Sequence, residues 1–190
     1  MFTVPTALTW ARILLIPLFV GVFFLPDSTL VMADKNLTAT LIFVLAAVTD
    51  WLDGYLARTL NQTSAFGAFL DPVADKLMVA AALIMLVELD RTSTVVAFVI
   101  IGREITISAL REWMAKVGAA RSVAVSMIGK IKTTAQMIAI PMLLFFQPLL
   151  GIDIAGFGRW LLWFAAVLTV WSMVYYLRRA WAELRARKVV

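Results

Sequence analysis

Cysteine and histidine are both missing from all 190 residues. Their absence excludes disulfides, thiolate metal sites, cysteine nucleophiles and imidazole chemistry. Acid–base work is left to carboxylates, lysines and hydroxyls, and a bound metal must be a hard, oxygen-seeking cation such as Mg²⁺ or Mn²⁺. Charge is scarce as well. Only 15% of the residues are charged and 63% are hydrophobic, against about 25% and 45–50% in soluble domains. A soluble fold of this size has too little interior for that much apolar surface, so lipid must be the solvent for most of it. The net charge of +5 suits a protein lying against anionic headgroups. Its basic residues flank apolar runs and form no separate patch, which argues against nucleic-acid binding.

What is present is a series of six apolar runs, near residues 8–26, 37–56, 66–89, 95–113, 127–146 and 158–177. A span of the bilayer core needs about 20 residues, so the sequence predicts an all-α integral membrane protein with six transmembrane helices. Connections are short, no repeat is evident, and residues 1–190 read as one domain. Residues 1–8, with Pro5 near the start, read as a short interfacial segment. Residues 178–190 read as a basic tail. Lys and Arg set the orientation. Arg58 joins the second and third runs, while Arg111, Lys116, Arg121 and Lys130 lie about the join of the fourth and fifth. The tail adds Arg178, Arg179, Arg185, Arg187 and Lys188, whereas the opposite side has only Lys35, Arg91 and Arg159. Both termini are therefore expected in the cytoplasm. Trp10, Trp51, Trp113, Trp160, Trp163 and Trp181 lie near the ends of runs, where indole favours the interface.

The chemistry concentrates in DWLDGYLARTLNQTSAFGAFLDPVAD, from Asp50 to Asp75. Asp50 and Asp53 are three residues apart and share one helical face; Asp71 and Asp75, four apart, do likewise. A charged aspartate inside a membrane costs about 2.5–3.5 kcal/mol, and four together repel. Divalent cations relieve both costs, and a ligand set of oxygens alone suits Mg²⁺. Gly54 and Gly67 leave room where two helices or a ligand come close. Ala57 is small on the same face, and the planar fork of Arg58 suits a phosphate. Two aspartates at helical spacing would by themselves read as an interfacial feature. Four at converging helix ends, with glycines between, read as a site.

The pattern Asp50-x2-Asp53-Gly54-x2-Ala57-Arg58-x8-Gly67-x3-Asp71-x3-Asp75 resembles the signature of the CDP-alcohol phosphotransferase family at every fixed position. The resemblance implies that family's six-helix membrane fold, often dimeric, with a site for two Mg²⁺ or Mn²⁺ ions open to the cytoplasm. Its members cleave the pyrophosphate of a CDP-linked donor, pass the phospho-group to an alcohol and release CMP. It further implies that Asp50, Asp53, Asp71 and Asp75 hold the metals and that Asp75 is the catalytic base. Gly54, Ala57, Arg58 and Gly67 would receive the CDP moiety.

The acceptor alcohol must be read outside the signature. Arg103 sits midway along the fourth run, deeper than a snorkelling arginine needs. Glu104, Ser108 and Arg111 share one face by spacing, and Lys130 and Lys132 open the fifth run with Gln136 a turn later. Such cations also serve as positive-inside anchors, and Arg103 with Glu104 also fits a buried pair. Arg103, Arg111, Lys130 and Lys132 nevertheless suit a phosphate-bearing acceptor better than a neutral one. TVPTALTWARILLIP, FGAFLDPVADK, REITISALREWMA and SVAVSMIGKIKTTAQM resemble the branch of the family that joins CDP-diacylglycerol to sn-glycerol 3-phosphate. Thr3 and Thr6 stand where asparagines are common. The resemblance implies those two substrates, membrane lipids around the chain, and a place in the bacterial cytoplasmic membrane. Synthases of cardiolipin or phosphatidylinositol phosphate would share the aspartates and differ in the acceptor. A divalent-cation transporter, the alternative of another class, would be expected to have broken helices or repeats, and neither is evident.

Overall fold

Long apolar runs become helices in lipid because the bilayer offers the backbone no hydrogen-bond partner. The computed structural model describes residues 4–59, 65–119 and 127–187, with the backbone alone at positions 4, 5, 54, 55, 57, 58, 65 and 68. These residues form α1 (Val4–Phe24), α2 (Met32–Thr59), α3 (Ala65–Glu88), α4 (Thr94–Lys116), α5 (Met127–Phe145) and α6 (Ile154–Ala186). Among the described residues there is no strand, only an isolated bridge between Leu149 and Ile152. Each apolar run is one helix. The segment expected at the interface, 1–8, enters α1 without a break from Val4, and Thr6 is buried.

Among the described residues, three helices are long and apolar enough to cross a membrane, over Thr6–Phe24, Met32–Asp53 and Ile154–Ala186. The other three carry charge within: Asp71, Asp75 and Lys76 in α3, Arg103, Glu104 and Arg111 in α4, Lys130 and Lys132 in α5. Leu14, Leu18, Leu41, Leu45, Phe98, Ile105, Trp163 and Val167 point outward and are exposed. In water such faces would drive aggregation; in lipid they meet their own kind.

The core is shared by all six helices. Phe19, Phe43, Leu83, Leu86, Ile100, Ile140, Leu143 and Leu162 form one buried cluster. Ile107, Met114, Tyr176, Ala180 and Leu184 form a second, between α4 and α6. α5 and α6 approach most closely at Gly158: a Cβ there would meet Met142 Cβ at 3.0 Å, Leu143 Cγ at 3.2 Å and the Ala139 carbonyl at 3.3 Å. Small residues permit such approaches in membranes, where packing rather than the hydrophobic effect holds helices together.

Helix ends at the face away from the aspartates are tied by buried cations. Lys35 Nζ donates to the Leu25 carbonyl just past α1 (2.6 Å) and to Asp27 (2.7 Å). Arg91 donates to the carbonyls of Leu143 (3.0 Å) and Leu144 (2.7 Å) and to Asn36 Oδ1 (2.7 Å), and lies over the Phe146 ring. The last carbonyls of a helix lack intrahelical partners and carry partial negative charge, so a cation there satisfies both needs. Two of the three cations counted on that side are thus buried caps rather than free loop charges. Among the described residues, the other exposed or half-buried basic side chains, Arg159 apart, lie on the side of the aspartates. At the starts of α4 and α6, Ser93 accepts from Val96 N–H and Asp153 from Gly156 N–H, as N-caps do.

Candidate active site

α1 lines the aspartates. Thr6, Thr9 and Arg12 follow one another at intervals of three, so they share a face, and all three are buried. Arg12 is the sole charged residue in α1. Its Nη1 donates to Asp50 and its Nη2 to Asp53, one arm of the fork to each carboxylate of α2. Thr9 Oγ1, a turn earlier, donates to Asp71 of α3. Asp75 lies within electrostatic reach of Asp50, Arg12 and Glu104. Asp50, Asp75 and Arg12 also line one narrow cavity of about 10 Å³, closed by Phe43, Met78 and Met137. The four aspartates are therefore brought together, two from α2 and two from α3, around the polar face of α1. Asp53 is the buried one; Asp50, Asp71 and Asp75 keep partial access to the outside.

The donors are all carboxylate and hydroxyl oxygens, the chemistry that fits a hard divalent cation. Among the described residues no three carboxylates stand close enough to share one ion. The Arg12 guanidinium supplies the positive charge that keeps Asp50 and Asp53 beside each other. Gly67 is buried at the start of α3. The side chains of Ala57 and Arg58, and position 54 beyond its backbone, lie outside the described residues.

The second cluster lies on α4, α5 and α6. Lys132 Nζ donates to Glu104 Oε1, and Arg103 Nη1 donates to the same oxygen at 3.2 Å. Arg103 Nη2 donates to Ser172 Oγ at 3.2 Å. The guanidinium carbons of Arg103 and Arg111 lie 5.8 and 5.5 Å from the centroid of the Tyr176 ring, within cation–π range. Arg111 and Arg103 are both electrostatic neighbours of Lys132. Three of the four expected acceptor residues thus form one group. Lys130, two positions before Lys132 and so about 200° around the helix, is exposed. Two buried donors, Arg103 Nε and Gln136 Nε2, have no hydrogen-bond partner among the described residues. Unpaired buried donors are costly and suit an anionic ligand.

A family model described as CDP-alcohol phosphatidyltransferase matches residues 2–171. The chain belongs to that family. It is 53% identical over 185 residues to the CDP-diacylglycerol–glycerol-3-phosphate 3-phosphatidyltransferase of Escherichia coli strain K12, covering 96% of this chain and 97% of the relative. The protein of that name from Shigella sonnei is similar to the same degree, and that of Salmonella typhimurium is 51% identical over the same coverage. Thr9 and Arg12 were not singled out, because an apolar run hides its own polar face. Their spacing of three and a lone arginine inside a hydrophobic helix were the available signals. Ser172 and Tyr176 carried no signal in sequence; only the packing of α6 on α4 brings them to Arg103.

Proposed function

We infer that the chain transfers the phosphatidyl group of CDP-diacylglycerol to sn-glycerol 3-phosphate, giving phosphatidylglycerophosphate and CMP. The observation that carries this reading is the adjacency of two groups of opposite character. Carboxylates of α2 and α3 gather about Arg12, and a cationic group of Arg103, Arg111 and Lys132 lies about Glu104, where Arg103 Nε and Gln136 Nε2 have no hydrogen-bond partner among the described residues. The first suits a metal-assisted phosphoryl transfer and the second a phosphate-bearing acceptor. The relatives named for this reaction, at 51–53% identity over nearly the whole chain, point the same way.

In this reading Asp50, Asp53, Asp71 and Asp75 hold Mg²⁺ or Mn²⁺, two ions by family resemblance. The ions would supply charge stabilisation to the phosphates as the P–O–P bond breaks. Gly54, Ala57, Arg58 and Gly67 receive the CDP moiety. Arg103, Arg111 and Lys132 hold the phosphate of the acceptor, with Lys130 at the entrance. Asp75, between the two groups, takes the proton from the primary hydroxyl of glycerol 3-phosphate. That oxygen bonds to the phosphorus attached to diacylglycerol, and CMP leaves with the bridging oxygen. Positioning and electrostatics do most of the work, as in other phosphoryl transfers. All six helices span the bilayer of a bacterial cytoplasmic membrane, with both termini and the site at the cytoplasmic face, and two copies pair as a homodimer.

The test is CMP release by the purified protein from CDP-diacylglycerol, over a panel of glycerol 3-phosphate, serine, inositol 1-phosphate and phosphatidylglycerol. Release is expected with glycerol 3-phosphate alone. Equal release with another alcohol, or none with glycerol 3-phosphate, overturns the reading.

A further inference from the structure

We propose that Arg12 is a resident counter-cation of the aspartate site and competes with the divalent metal for Asp50 and Asp53. The inference rests on the reading of these carboxylates as metal ligands, and it concerns how the chain behaves before the metal arrives.

Arg12 is 1% exposed and Asp53 is 3% exposed, so neither charge has water to stabilise it. Nothing else in α1 is ionised. The three-residue spacing of Asp50 and Asp53 sets their carboxylates side by side, and the rigid guanidinium fork bridges the pair. Its third donor, Nε, finds no partner among the described residues. Arg12 is therefore fitted to the two carboxylates and to little else. Thr9 similarly occupies one oxygen of Asp71.

Each carboxylate lone pair engaged by α1 is withheld from a metal. Among the described residues no three carboxylates converge on one point, and two of the four are held by the Arg12 fork. A divalent ion entering between α2 and α3 must take at least one carboxylate from Arg12, and it meets the repulsion of the guanidinium as it does so. Arg12 thus keeps the metal-free bundle from flying apart at its most acidic point, and lowers the affinity of the site for metal in doing so. The device sets the metal concentration at which the enzyme loads.

The experiment is a Mn²⁺ titration of the detergent-purified full chain, followed by the electron paramagnetic resonance signal of free Mn²⁺, for wild type, Arg12→Met and Arg12→Lys. Thermal stability is measured alongside in EDTA and in saturating Mn²⁺. Arg12→Met should bind Mn²⁺ about 10- to 100-fold more tightly, the scale of one charge-assisted hydrogen bond. Its stability should fall below wild type in EDTA and recover most of the gap in Mn²⁺. Arg12→Lys, which can serve one carboxylate at a time, should lie between. An unchanged or weaker Kd in Arg12→Met overturns the inference. Should that variant fail to fold even with Mn²⁺, Arg12→Lys decides by the same criterion. Wild type that binds no Mn²⁺ overturns the inference together with the metal-site reading; wild type that binds, with an unchanged variant Kd, overturns the inference alone.

Discussion

Asp75 and Asp53 differ in their surroundings, and the difference separates what their substitution should do. Asp53 is buried and held by Arg12, so Asp53→Asn removes half of a buried charge pair as well as the proposed metal donor. Asp75 is partly open and within electrostatic reach of both Asp50 and Glu104, and it is the proposed base. Asp75→Asn should lower kcat by about 10²–10⁴-fold, the range for losing a general base. Binding of CDP-diacylglycerol should survive, since the other three aspartates remain. Steady-state kinetics with each substrate varied separately checks this; a kcat within a few-fold of wild type removes Asp75 from the role. The cationic group calls for a different experiment. Arg111 is half-buried and sits over Tyr176, so Arg111→Ala should raise the KM for glycerol 3-phosphate about 10- to 100-fold while the donor KM stays put. Lys132 is less clean. It is buried against Glu104, and breaking a buried pair costs about 3–5 kcal/mol. Lys132→Met should therefore lower stability as well as acceptor affinity. Adding Glu104→Gln should restore much of the stability and none of the affinity, which thermal unfolding and KM measured on the same preparations will separate.

At the scale of the helix, the two ends of the bundle are built for different purposes. The end bearing the aspartates gathers the charges of the proposed site. The far end uses its charges to tie helices down. Burial lowers the pKa of Arg91 to about 10, still far above neutrality, so it remains a cation and needs the carbonyls of α5 and Asn36 of α2 around it. Asp75 lies about 20 Å away along α3, at 1.5 Å per residue. Arg91→Met should therefore cost about 3 kcal/mol or more of stability, the scale of charged hydrogen bonds lost together. Neither substrate's KM should move, and a change in either one would mean that the ends are coupled. Gly158 makes the matching case for packing. Gly158→Ala sets a methyl group 3.0 Å from Met142 Cβ, and overpacking of that kind costs about 1–3 kcal/mol. A lower melting temperature in detergent, with unchanged kinetics in what remains folded, is the expected result.

For the whole molecule the open quantity is how many helices cross the bilayer. Length and apolarity alone qualify α1, α2 and α6. α3, α4 and α5 are disqualified by the very charges that make the site. They pack against α1, α2 and α6, and that packing takes their charged faces out of lipid. All six should therefore span, with both termini in the cytoplasm. The absence of native cysteine makes the test direct. Single cysteines placed in turn at Ser28, Ser93 and Gly151 should react with an impermeant maleimide from the outer side of the membrane. Cysteines at Gly118 and at the C-terminus should react only after permeabilisation. A reversed pattern at Ser93 would remove α3 from the set of spans.

Much of this architecture was already legible in the chain, and the part that was not has a physical cause. Apolar runs of bilayer length have no alternative to helix, because lipid leaves the backbone no other partner. The six helices thus follow from local composition. So does the pairing of Asp50 with Asp53 and of Asp71 with Asp75, since helical spacing is set within a few residues. The CDP-alcohol signature adds the chemistry for the same reason: its positions are neighbours in sequence. Contacts between distant segments carry no such mark. That Arg12 grips Asp50 and Asp53, that Arg103 and Lys132 converge on Glu104, and that Ser172 and Tyr176 complete their surroundings depends on which face each helix turns to the others. An apolar helix in lipid has no hydrophobic stripe to announce that face. Composition and spacing determined the helices and the ligands; the rotation of each helix, decided by close packing at residues such as Gly158, determined what those ligands meet.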